Sequence, residues 1–219
     1  PEGTQPGVRP LVKQNLTLHL FEGAFTFEEF PCRLEEVTGT LEVGPKPDAW
    51  RFYNFRGKRQ GAVVTGSGRF DPSPEGDRLR VDLEAHQLPL DEELKEALPP
   101  SAREAWDHFQ PTGLVSGRLS YEQVVGKQPP TIELLILPQG GTIKPACFPY
   151  LLTEVRGQIH YKAPWVVVSR LSARHGPALL ALRHGTVQVR PRGGFRVELQ
   201  DLTASQLVVD KDLVAAVPT

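Results

Sequence analysis

The 219-residue chain has no methionine and only two cysteines, and its 25 Lys and Arg nearly cancel its 26 Asp and Glu. Each scarcity excludes something. A formal charge of −1 supplies no long-range field to attract nucleic acid or an anionic membrane surface. Two cysteines define neither a disulfide framework nor a metal site. Cys32 and Cys147 each lie beside a Phe-Pro pair and are expected to be isolated, buried thiols. There is no signal peptide and no run of about twenty apolar residues that would span a membrane as a helix. Methionine is missing even at position 1. With the abrupt start at Pro1 and the end at Thr219, this leads us to expect a segment of a longer protein.

Glycine and proline are plentiful, at 20 and 21 residues, which favours many short elements joined by turns. Most of the chain alternates apolar and polar residues with the period of a half-buried strand. Leu16, Leu18 and Leu20 share one face, as do Ile132, Leu134 and Ile136, and Phe195, Val197 and Leu199. Glu22-Gly23, Gly66-Ser67-Gly68 and Arg192-Gly193-Gly194 read as turns. Helix is expected near 91–110, with one or two further turns after Asp210 in the C-terminal echo of that stretch. Within 91–110, Asp91 is placed to cap one short helix, and Ser101 and Glu104 have the spacing of a capping box for a second.

The sequence also repeats. FPCRLEEVTG, Phe30 to Gly39, recurs as FPYLLTEVRG, Phe148 to Gly157, 118 residues later without a gap. QLPLDEELKEALPP from Gln87 is echoed by QLVVDKDLVAAVP from Gln206 at an offset of 119. The expected fold is therefore mainly β, with two tandem units of about five antiparallel strands forming a curved sheet or groove. Residues 1–110 would be the first unit, with its crossover helices at about 91–110, and 111–219 the second.

Chemical signatures are scarce. The six histidines are dispersed, and His175 and His184, each between an Arg and a Gly, read as strand-end residues on one rim. No nucleophile elbow, phosphate loop or dinucleotide fingerprint occurs. Asp91, Glu92 and Glu93 are better explained by helix capping and the helix dipole than by acid–base catalysis. Trp50, Tyr53 and Phe55 are the candidates for a sugar-stacking row, but simple alternation puts Trp50 and Phe55 on opposite faces. We expect no enzyme, no cofactor and no metal. An apolar sheet face must nevertheless be buried, by a second sheet, by barrel closure, or by a ligand in an open trough.

About five strands plus a helical crossover, repeated in tandem, resembles the β-groove of AsmA-like and TamB-like envelope proteins of diderm bacteria. LPLDEELKEALPPSAREAWDHFQPTG and FPYLLTEVRGQIHY are also similar to segments of very long AsmA-like proteins of planctomycetes. The resemblance covers most of both units. It implies a non-enzymatic, periplasmic or envelope protein that binds or conducts phospholipid acyl chains between membranes, or supports outer-membrane assembly. Leu16, Leu18, Leu134, Ile136, Val197 and Leu199 would then line the groove, and further repeats of the same chain would extend it. The family's N-terminal membrane helix and C-terminal region are not among these residues, so anchoring would come from parts not present here. The alternative is a structural or adhesive tandem β-repeat with a closed core and no ligand.

Overall fold

The computed structural model describes residues 15–26, 32–44, 48–126, 129–189 and 195–216, and every structural statement below concerns these. Eleven strands form one open antiparallel sheet in strict chain order. Five come first: β1 (Leu16–Phe25), β2 (Leu34–Val43), β3 (Trp50–Arg59), β4 (Ala62–Asp71) and β5 (Arg78–Pro89). Two short helices follow, α1 (Glu92–Ala97) and α2 (Pro100–Phe109). Then come β6 (Leu114–Val124), β7 (Thr131–Ile143), β8 (Leu152–Lys162), β9 (Trp165–His175), β10 (Ala178–Val189), β11 (Phe195–Ser205) and a last helix, α3 (Lys211–Ala216). The helical pair does not interrupt the sheet, because β5 pairs directly with β6. β1 and β11 are its edges.

Bulges explain most departures from simple alternation. Glu22-Gly23 does not reverse the chain; Glu22 has φ 52° and sits in a bulge within β1. Gly66-Ser67-Gly68 lies in the middle of β4, where its glycines make room for large neighbours. A side chain at Gly68 would collide with Phe52, and one at Gly66 with Leu83. In β3 a bulge at Asn54 (φ 54°) adds one residue and returns Phe55 to the face of Trp50 and Phe52, correcting the opposite-face expectation. Arg192-Gly193-Gly194 lies outside the described residues.

The helices differ in their caps. Asp91 accepts the Leu94 amide at 2.9 Å, as a capping aspartate should. α2 instead begins at Pro100, so Ser101 is already inside the first turn and no side chain caps the helix. Proline at the first helical position needs no partner for a missing N–H, which makes the capping box redundant.

Deep burial is concentrated toward one end of the sheet. Ala62 and Ala178, Val37 and Val155, and Ala97 and Ala216 are all nearly inaccessible. Total accessible surface is 15419 Å², against roughly 10,000 Å² for a compact monomer of this mass. No second layer of described residues covers either sheet face.

Candidate apolar binding face

Directly opposed residues of an antiparallel pair project to the same face, so the register can be followed across the sheet. Leu18 lies opposite Leu41, Leu41 opposite Phe52, Phe52 opposite Gly68, and Gly68 opposite Val81. Two residues on, Leu83 meets Leu119, Leu119 meets Leu134, and Leu134 meets Tyr161. The row continues through Val166, Val187 and Val197. One apolar face therefore runs across all eleven strands, roughly 48 Å at the usual strand spacing.

All six residues singled out from the sequence fall on this face. Leu16, Leu18, Val197 and Leu199 lie on the two edge strands and are 52, 42, 46 and 51% exposed. Leu134 and Ile136 are half-buried near the middle, flanked by neighbouring strands. Trp50, Phe52, Phe55 and Phe70 form an aromatic cluster on the same face, with ring centres about 6 Å apart. Tyr53 points the other way and donates to Glu42 at 2.8 Å.

The opposite face is polar and holds a cleft of about 710 Å³. Ser67, Asp82, Ser120, Glu133, His160 and Ser169 are among its lining residues. Their polar groups largely satisfy one another. Ser120 donates to Asp82 at 2.7 Å, and Glu133 meets His160 at 2.9 Å and Lys162 at 3.2 Å. Lys162, then His160, holds the Glu133 carboxyl below its ordinary value. His184, expected at a strand end, instead pairs within β10, opposite Ser169 and Gln200. Among the described residues no group of three potential metal ligands converges, and no helix is long and apolar enough to cross a membrane.

Two joints at the buried end hold the short helices to the sheet. In the first, the buried Arg59 at the end of β3 donates to Asp91 at 2.7 and 2.9 Å and to Glu93 at 3.0 Å, above the buried Cys32. Burial alone would raise the Asp91 carboxyl. The Arg59 and Leu94 hydrogen bonds outweigh it and hold the group below 3.8. Burial also pushes the Cys32 thiol up, against the pull of Arg59.

In the second joint His175 ends β9, its Nδ1 2.7 Å from the Leu151 carbonyl and its Nε2 3.3 and 3.7 Å from Asp210 and Asp212. Its ring stacks on the buried Tyr150 at 3.8 Å. Asp210 caps α3 through the Leu213 amide at 2.8 Å, as Asp91 caps α1. Burial, and then the Asp210 and Asp212 charges, raise the Tyr150 hydroxyl.

Sequence reasoning singled out Asp91 and Asp210 and placed His175 at a strand end, where it lies, but paired these aspartates with neither Arg59 nor His175. The signal was present: each ends the strand before a hairpin at a glycine, 116 residues apart. The cysteine expectation is half corrected, since Cys32 is buried but Cys147 is exposed. Cys32 follows its Phe-Pro pair, whereas Cys147 precedes its own, and Tyr150 occupies the matching buried place.

Fold and face together define a class, a single-layer antiparallel sheet with one apolar side that no described element covers. No family model matches the chain, and no curated protein or solved structure matches it either. The class is carried by geometry.

Proposed function

We propose that the chain is two tandem copies of one β unit and that their shared apolar face binds or conducts phospholipid acyl chains as part of a longer envelope protein. The observation that carries the reading is the face itself, apolar across eleven strands and covered by no other described element. Acyl chains need a continuous apolar surface and no dedicated polar partner, which suits a face without a chemical motif. The repeat is supported by matched bulges at Glu36 and Glu154 and at Asn54 and Arg170, and by the left-handed backbone that Gln87 and Gln206 share, all with φ between 48 and 55°. The two capped joints match in the same way. Periplasmic location and an anchor elsewhere in the protein follow from the resemblance to AsmA-like and TamB-like proteins.

Lipid mass spectrometry of the purified chain is the test. Co-purifying phospholipid, lost in the double variant Leu134→Asp, Ile136→Asp, is the expected result. Lipid-free protein whose apolar face is fully protected from hydrogen exchange would favour a structural repeat with a closed core instead.

A further inference from the structure

The two joints share a design, but only one of them is covered. At the first, β6 lies along β5: Leu88 faces Val115, Pro89 faces Leu114, and the Leu90 amide donates to the Gly113 carbonyl at 2.9 Å. The Gln87 amide, at a bulge, donates to the buried Ser116 hydroxyl at 3.2 Å. α2 closes over α1 through Asp107, whose carboxylate lies 2.8 Å from Lys95. Leu88, Pro89 and Leu90 are consequently half-buried.

At the second joint the matching residues are Leu207, Val208 and Val209, exposed by 46, 52 and 77%. Gln206, one residue past the end of β11, repeats the left-handed backbone of Gln87, with φ 54° against 55°. Val214, in the place of Lys95, is 64% exposed. β11 is the free edge of the sheet. An apolar extended stretch that leads from a free sheet edge to a capped helix is a surface for strand addition.

We propose that the β11 edge and α3 are a docking surface for a helix–strand segment built like α2–β6. Its strand would set apolar residues against Leu207 and Val208 and a hydroxyl against the Gln206 amide. Its helix would bring an apolar residue to Val214, where α2 brings Asp107 to Lys95. The assignment rests on the repeat reading above, but not on lipid binding.

The test uses a labelled synthetic peptide of residues 100–124, added to the full chain and followed by fluorescence anisotropy and hydrogen exchange. Saturable binding that protects Phe195–Ser205 but not Leu16–Phe25 is expected, weakened about tenfold by Leu207→Asp with Val209→Asp. A peptide carrying Asp107→Leu, matched to Val214, should bind several-fold more tightly. Equal binding of a scrambled peptide, no saturation, or indifference to the double substitution would overturn the assignment. So would β11 protection that rises with protein concentration alone, which would show a second copy filling the edge. Peptide binding without co-purifying lipid would leave this proposal standing and remove the lipid reading; lipid without peptide binding would do the reverse.

Discussion

Arg59 and His175 occupy matching places at the ends of β3 and β9, yet they hold their helices by different physics. Arg59 is almost wholly buried, makes three charge-assisted hydrogen bonds, and keeps its charge at every accessible pH. His175 is held by a carbonyl, a tyrosine ring and two longer approaches to carboxylates. The first joint is a salt-bridged latch and the second a stacked one. Two corresponding joints of one sheet can thus keep the same layout with different fastening chemistry, the capping aspartate and the small buried residues being common to both.

The largest expected difference lies in removing the fastener. Arg59→Met leaves Asp91 and Glu93 without their cation, but both can rehydrate, so the cost should be about 2–3 kcal/mol rather than that of a fully buried broken pair. His175→Met loses one hydrogen bond and a stacking contact, and should cost about 1 kcal/mol. Urea unfolding of both variants measures the gap, and equal losses would show that the latches do not differ in kind.

Next comes pH. The Asp91 carboxyl is lowered in the folded chain, so its contribution is complete above 3.8 and is lost as pH falls through the lowered value. The Tyr150 hydroxyl is raised, so its contribution is complete below 10.0 and is lost as pH rises through the raised value. Hydrogen exchange should therefore loosen Glu92–Ala97 from the acid side and Lys211–Ala216 from the alkaline side. Loosening of both helices together at either extreme would contradict the distinction.

The smallest effect concerns Tyr150 itself, whose buried hydroxyl has no hydrogen-bond partner. Tyr150→Phe keeps the stack on His175 and removes that unmet group, so it should stabilise the chain by up to about 1 kcal/mol. It should also remove the alkaline loosening of α3. Thermal unfolding at neutral and alkaline pH checks both.

Much of this was legible in the sequence because period-two alternation and helix caps are local. Leu16 shares a face with Leu18, Leu134 with Ile136 and Val197 with Leu199 as alternation requires, and Asp91 caps α1. What was not legible depended on bulges and on pairs distant in sequence. Alternation placed Phe55 wrongly because the extra residue at Asn54 has no local signature. Gly66 and Gly68 read as a turn because the Phe52 and Leu83 side chains that demand them lie on other strands. The Arg59–Asp91 pair spans 32 residues and becomes visible only once the hairpin between β3 and β4 is folded. That the apolar face has no described protein layer over it follows from the whole sheet rather than from any segment.

The most direct test of the central claim is photocrosslinking with a phospholipid that carries a diazirine in its acyl chain, mapped by mass spectrometry of peptides. The account predicts adducts on the apolar-face residues of several strands, among them Leu18, Leu134 and Leu199, that disappear in Leu134→Asp with Ile136→Asp. Adducts confined to the polar face around Ser67 and Glu133, or none above the level of the double variant, would contradict it.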